Sequence, residues 1–449
     1  MHDNFCYNSL MKKRHVKILA TLVASFVVFY ITFIFTQKNN TPTSESYKAS
    51  VQYPASPLTL NLWVPEPEKN NLDSIISDFK KVHPNVSINI EVIDNSLYQT
   101  RINQAVSSNS LPDMAILRSE QLPQYKNNLK AAPDPVFTTD EFRKTFADLA
   151  SNDLTSGNSI IGAPLGLATL GMIYNQDRFF QASISGPPAT WVDFNKTNSA
   201  LRKKESSNLY SSGVALGTPL IRNYPDIISV LMMQNGAAMT NQPPTKATFE
   251  QPDDSSYYPG SKALEYYASF SQPTKDNYSW SDSLGDSVLA LGQNKTALII
   301  DYPMAYKEIL AKNPNLNLKM SQLPQVNPTQ PINYGTVLVG GVFSSSTKSD
   351  IAWDFWSFAT SKYEQNKFSL NSYWPASRKD LIKDQLNDKD LSISARQSST
   401  ATNWYEGNNH QTNASLREMC TSYLSGIDSR IAVNNASSKV TSSIKASLR

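Results

Sequence analysis

LTLNLWVPEPEKNNLDSIISDFKKVHPNVSINIEV, residues 58–92, decides the fold class. Leu58, Leu60 and Leu62 alternate with polar residues and run into Trp63 and Val64, the pattern of a half-buried strand. Leu72, Ile75, Ile76, Phe79 and Val82 then form a helical apolar stripe that Pro84 stops. Val86, Ile88, Ile90 and Val92 return to strict alternation, a second strand. A further helix is expected over about 96–109 and a short buried strand over Asp113–Leu117. This βαβαβ order implies a mostly parallel sheet with helices on both faces. Ligands of such open sheets bind beyond the carboxyl ends of the strands. Trp63–Glu66 and Leu117–Ser119 lie at two such ends.

The same alternation continues downstream. Strands are expected near 160–163, 169–174, 213–217, 296–301, 317–323 and 336–342. Helices are expected near 191–204, 225–235, 259–270, 303–312, 348–360 and, with breaks, 414–448. Asp301 is expected to cap the helix that Pro303 opens, which would offer backbone N–H groups to a polar ligand.

Upstream, Ile18–Phe35 (ILATLVASFVVFYITFIF) carries no charge and, with Thr36 and Gln37, reaches the roughly 20 residues that span a bilayer. It exceeds the apolar core of a cleavable signal peptide, about 7–15 residues, and no small-residue cleavage site follows it. Residues 18–37 are therefore expected to be a transmembrane signal-anchor helix, with a cleaved signal as the alternative. Lys12, Lys13, Arg14 and Lys17 keep residues 1–17 cytoplasmic and send the rest outside. Met11 offers a second candidate start. Residues 38–57 read as a polar tether of roughly 25 Å coil dimension. The expected location is thus the cell membrane, single-pass, with the C-terminal domain extracellular or periplasmic.

That basic cluster, set against Asp3, also accounts for the whole net charge of +3: the other 432 residues hold 37 basic and 37 acidic groups. No phosphate-neutralising surplus remains, so nucleic acid is not an expected partner. The 449 residues allow two or three domains or one large bilobal unit. Two cysteines, on opposite sides of the expected helix, exclude a disulfide scaffold and a cysteine-rich metal module. The four histidines have no metal-ligand spacing, and no cofactor is expected.

The motifs of nucleotide binding and of zinc or serine hydrolysis are absent. Gly285–Val288 resembles a serine-hydrolase block without a matching His, and Ser77–Lys80 and Ser345–Lys348 are S-x-x-K tetrads without a K-T-G box. Each reads as ordinary structure. A carboxylate pair for glycoside hydrolysis stays open. Aromatic residues gather near strand and loop ends instead: Trp63, Tyr174, Tyr302, Tyr334, Tyr373–Trp374 and Trp404–Tyr405. Flat amphipathic rings suit sugar faces, although each suits core packing too. Trp191, Trp353, Phe355, Trp356 and Phe358 are assigned to the core.

In this order and spacing, LTLNLW (58–63), IISDFKKVHPNVSINIEV (75–92), LPDMAIL (111–117), IIGAPLGLATLGMIYNQDRF (160–179), PPATWVDF (187–194), LALGQNKTALIIDYP (289–303), NLKMSQLPQ (317–325), SDIAWDFWSFATSKYEQNKF (349–368) and WPAS (374–377) resemble the extracellular solute-binding proteins of ABC importers, family 1. The resemblance implies a bilobal α/β periplasmic-binding-protein-like fold of type II, its two lobes joined by a hinge of two or three crossing strands. Lobe 1 would hold about 58–167 and 293–330, and lobe 2 about 168–292 and 331–449. It further implies a monomeric, non-enzymatic protein that captures a small polar ligand, carbohydrate by family, and delivers it to ABC permease subunits.

Trp63, Tyr334 and Trp374 would stack on that ligand, with Trp404 beside them. Glu66, Arg118 and Asp301 would hydrogen-bond or pair charge, and Tyr302 would do either. Trp374 would reach in from the second lobe and Asp301 from the first. The chain departs from the family at Leu117-Arg118-Ser119, where sugar-binding relatives often have an aromatic. It departs again at Asp301-Tyr302-Pro303, in place of a frequent Gly-Trp. An anchored glycan hydrolase and a sensory or adhesion ectodomain are the alternatives.

Overall fold

The computed structural model describes residues 47, 51–53, 55–134, 136–206 and 208–448. The expected cytoplasmic segment, the helix over 18–37 and most of the tether lie outside the described residues. Among the described residues, no helix is long and apolar enough to cross a membrane.

In chain order, the principal elements begin with β1 (Leu58–Pro65), α1 (Lys69–Val82), β2 (Val86–Ile93), α2 (Tyr98–Ser108), β3 (Met114–Arg118), β4 (Ala163–Thr169) and β5 (Gly171–Asn175). Next come α3 (Trp191–Leu201), β6 (Lys203–Glu205), β7 (Asn208–Val214), α4 (Tyr224–Gln234), α5 (Pro259–Ala268), β8 (Thr296–Asp301) and α6 (Pro303–Lys312). The chain closes with β9 (Leu318–Gln322), β10 (Asn333–Val342), α7 (Ser349–Ala359), α8 (Lys362–Ser372), α9 (Ser392–Gln397), β11 (Ala401–Thr402), α10 (Asn409–Leu424) and α11 (Ser429–Ser447).

Local pattern explains these elements. α1 buries Leu72, Ile75 and Phe79 on one stripe and ends with Lys80 and Lys81, cations suited to a helix C-terminus. Phe79 meets Phe355 and Phe358 of α7 at 5.2 and 5.4 Å between ring centroids. Trp356, fully buried on α7, lies against β10 where Gly340 has no side chain: a Cβ there would come within 2.4 Å of the indole. The core assignment of Trp353, Phe355, Trp356 and Phe358 holds, since all four are buried.

Two sheets form. In the first, β11, β10, β3, β1 and β2 lie in that order, with β4 also on β10. β1 runs parallel to β2 and β3, whereas β10 runs antiparallel to β3 and β4. The second sheet has the order β9, β5, β8, β7, β6. This corrects the expected division of the chain. Strands β8 and β9, expected on the first lobe, pair with β5 in the second sheet. Strand β10, expected on the second, pairs with β3 and β4 in the first. Sequence periodicity identifies strands but carries no information on which sheet a distant strand joins. Helices α10 and α11 do belong to the second lobe, through Tyr224 to the Leu416 carbonyl and Ser429 to Glu265.

The chain therefore passes between the sheets three times: at Leu170, through 323–332 and through 403–408. Gln397, buried at the end of α9, ties two of these passages together. Its Nε2 donates to the Leu170 carbonyl (2.9 Å) and Thr169 Oγ1 (2.7 Å), and its Oε1 accepts from the Leu323 N–H (2.9 Å). Gln397→Leu keeps the volume but leaves a buried carbonyl and a buried N–H unmet, at about 1–3 kcal/mol each. A loss of at least about 2 kcal/mol is expected by urea unfolding; an unchanged midpoint would show that the passages hold without the tie.

Candidate functional site

The passages draw the carboxyl ends of β1, β3 and β8 toward one cleft, and residues of both lobes line two cavities in it. The smaller, about 290 Å³, is walled by Glu68, Arg118 and Gln121 from the first lobe and by Arg222, Asp301 and Tyr302 from the second. Asp301 is the last residue of β8, and Pro303 opens α6. The helix cap falls on Tyr302 rather than on Asp301, without a side-chain bond. Instead, Asp301 Oδ1 accepts from the Tyr302 N–H (2.7 Å) and from Asn223 Nδ2 (2.8 Å), while its buried Oδ2 has no hydrogen-bond partner. Asn223 sits in the left-handed region at φ 56°, which asparagine tolerates better than most residues. Removal from water pushes the Asp301 carboxyl up to about 7, against the pull of Arg222 and of these two donors. Arg222 is itself engaged by Glu308 at 2.7 Å.

A wall of carboxyl groups lies behind Tyr302. Tyr302 donates to Asp226 Oδ2 (2.8 Å), Thr336 to Glu120 Oε2 (2.7 Å) and Tyr334 to Glu406 Oε1 (2.9 Å). Asn409 Nδ2 donates to the other Glu406 oxygen at 2.6 Å. Desolvation first, and then the neighbouring Glu120 charge, push Asp226 up to about 7. Desolvation, with Asp226 and Glu120 nearby, pushes Glu406 up to about 8.

The larger cavity, about 840 Å³, takes Glu120 and Asp153 from the first lobe, Met233 and Met239 from the second, and Asn403 and Trp404 from the third passage. Trp404 is oriented by its Nε1 bond to Ser229 (3.1 Å) and by edge contact with Phe249 at 6.2 Å. Asn403 Nδ2 donates to Asp153 at 2.6 Å, and burial raises that carboxyl to about 6.

Of the eight residues expected at the site, Arg118, Asp301 and Tyr302 line the smaller cavity and Trp404 lines the larger. The other four do not line either. Trp63 is buried with Arg101 packed 5.2 Å from its ring, and Glu66 is exposed to solvent. Tyr334 is buried with its hydroxyl spent on Glu406. Trp374 is fully buried: its Nε1 donates to Glu68 Oε1 (2.9 Å), Arg118 lies 5.3 Å over its ring, and it packs on Gly166 of β4. It belongs to the first lobe, and Asp301 to the second, the reverse of expectation.

Glu120, Asp153, Arg222, Asp226 and Glu406 were not among the sequence candidates. Single acidic residues carry no local signal, and only Asn223-Tyr224-Pro225 before Asp226 marks a turn into a helix. The two S-x-x-K lysines are structural, since Lys80 bonds Ser87 and Lys348 bonds the Thr59 carbonyl.

Residues 74–389 match the family model described as bacterial extracellular solute-binding protein. A protein of Brucella abortus (strain 2308), whose name says no more than that it binds, is 22% identical over 324 residues, 70% of this chain and 74% of that one. The fold is similar to an ABC transporter solute-binding protein of Thermotoga lettingae TMO bound with α-D-tagatose: TM-score 0.72, 18% identity, 86% of this chain and 99% of that one. It is similar also to an ABC substrate-binding protein of Listeria monocytogenes in complex with cycloalternan, with TM-score 0.70, 17% identity, and coverage of 86% and 99%. A sugar-binding protein of Xanthomonas citri gives TM-score 0.70 at 16% identity, covering 87% and 98%.

Two outcomes follow for stability. Trp374→Ala should destabilise the ligand-free protein by about 3–5 kcal/mol, measured by urea unfolding; a near-neutral effect would contradict its place in the core. Asp226, Asp301 and Glu406 have folded pKa values raised above those of free carboxyls. Their contribution is therefore full below about pH 4 and is lost as pH rises through about 7–8. The melting temperature should fall between pH 5 and pH 9, and Glu406→Gln, which stays neutral, should flatten that slope.

Proposed function

We propose that this chain, which belongs to the bacterial extracellular solute-binding protein family, captures a carbohydrate or similarly hydroxylated ligand in the cleft between its lobes and delivers it to an ABC permease. It is a binding protein without catalytic activity. The observation that carries the ligand class is the pair of cavities whose walls come from both lobes. One sets polar groups (Arg118, Asn223, Asp301, Tyr302) and the other an oriented indole, Trp404. Pockets for polar organic ligands combine apolar area with a few placed donors and acceptors in this way. The bound sugars of the structural relatives support the reading.

A ligand touching both lobes favours whichever state brings them together, because it gains contacts there that the open state lacks. Carbohydrates at 100 times their dissociation constant should stabilise the protein by about 2.7 kcal/mol. Small-angle scattering should show a smaller radius of gyration at saturation. A panel of mono- and oligosaccharides that raises no melting temperature would remove the sugar assignment.

The tether belongs to the same proposal. Residues 18–37 hold the domain at the outer membrane face, about one coil length from the permease it serves. Protease added to intact cells should release a fragment beginning within 38–57. A soluble secreted product already lacking residues 1–37 would show that the segment is cleaved instead.

A further inference from the structure

Resting on the reading of the cleft as a solute site, we infer that Tyr373 is a positioning residue for ligand binding. It lines neither cavity, yet it clasps the first lobe to the second and so favours the closed arrangement that holds a solute. Tyr373 ends α8, whose Gln365 donates to the Pro164 carbonyl of β4 (2.8 Å), and it therefore stands on the first lobe. Its ring meets α6, which follows directly from β8 of the second sheet. Tyr306 of α6 stacks on it, with 6.3 Å between ring centroids and 30° between planes. The Lys307 ammonium lies 5.5 Å from the ring centre and donates to the Asn371 carbonyl. That carbonyl belongs to the last turn of α8, where a cation is favoured.

The backbone of Tyr373 points the same way. Its φ of 61° lies in the left-handed region, which is costly for a bulky residue and open to glycine. Helices commonly end on a glycine in this conformation. A tyrosine held there bears that cost, and what its ring adds is contact with the other lobe. Its hydroxyl donates to Asp390 Oδ2 (3.3 Å), which helps to hold the ring in place.

Both sides of the clasp adjoin walls of the smaller cavity. The next residue, Trp374, bonds Glu68 and lies under Arg118, and both of these line the cavity. On α6, Met304, Ala305 and Glu308 line it, while Tyr306 and Lys307 turn to Tyr373. The contact thus fixes the spacing of two walls without touching what lies between them. A ligand that binds the closed arrangement has an apparent affinity proportional to the fraction of chains so arranged. Loss of the clasp should therefore weaken every ligand by one common factor.

Two variants break the clasp. Tyr373→Gly removes the ring and suits the left-handed backbone; Lys307→Ala removes the exposed cation from α6 and leaves the Tyr373 turn intact. Tyr373→Phe keeps the ring and serves as the rescue. The first measurement needs no ligand: electron–electron distance spectroscopy on the detergent-solubilised full-length chain, spin-labelled at Val82→Cys and Leu289→Cys in a Cys6→Ser background. Those two positions are exposed, one on each lobe, and Cys420 is buried. Both clasp variants should shift population to longer distances, and Tyr373→Phe should match the wild type. The second measurement is calorimetric titration with the panel of mono- and oligosaccharides. Each sugar that binds should bind both variants roughly three- to tenfold more weakly, by the same factor for all. Unchanged distances, unchanged or tighter affinity, or factors that differ from sugar to sugar would overturn the inference. Lengthened distances with no sugar bound by any form would count against the carbohydrate reading and leave the clasp between the lobes standing.

Discussion

Gln397 holds the molecule's organising constraint. A chain that builds two sheets and crosses between them must leave sheet hydrogen bonding at each crossing, and buried backbone groups released there need other partners. One amide side chain serves Leu170, Thr169 and Leu323, linking passages that are more than 150 residues apart in sequence. Gln234 joins the two ends of the second passage, donating to the Pro324 and Ile332 carbonyls. The lobes are thus fixed where the chain passes and are left to meet elsewhere through side chains.

Where they meet, the packing is polar. The first lobe brings Arg118 and Glu120, the second brings Asp226, Asp301 and Tyr302, and the third passage brings Glu406. Burying carboxyl groups costs free energy unless each is hydrogen-bonded or neutralised. The tyrosine, threonine and asparagine donors offset part of that cost, and proton uptake offsets more. A cleft built this way is held together less tightly than a hydrophobic interface of the same area. Its stability accordingly varies with the proton concentration.

The apolar core, by contrast, lies within each lobe. Trp353 and Trp356 pack under the first sheet, and Trp374 joins them from a loop whose Pro375 carbonyl accepts the Leu167 N–H. Gly340 and Gly166 lie where those indoles approach the backbone, and a side chain at either position would collide with one. The apolar core and the polar cleft therefore rest on different residues.

The sequence by itself determined the elements. The stripe on α1, the alternation of β1 and the proline-opened α6 arise between residues within a few positions of one another, which periodicity and capping report directly. It also marked Arg118, Asp301 and Tyr302, because strand ends in an open α/β sheet are legible from the strands themselves. Only the tertiary structure decided which sheet β8, β9 and β10 join, since pairing partners lie far apart in the chain and leave no local trace. For the same reason Trp374, expected to stack on the ligand, proved to be core, and Glu120, Asp226 and Glu406 proved to be neighbours. Their shared environment, and the protons Asp226 and Glu406 hold in it, exist only once three distant segments have removed the water between them.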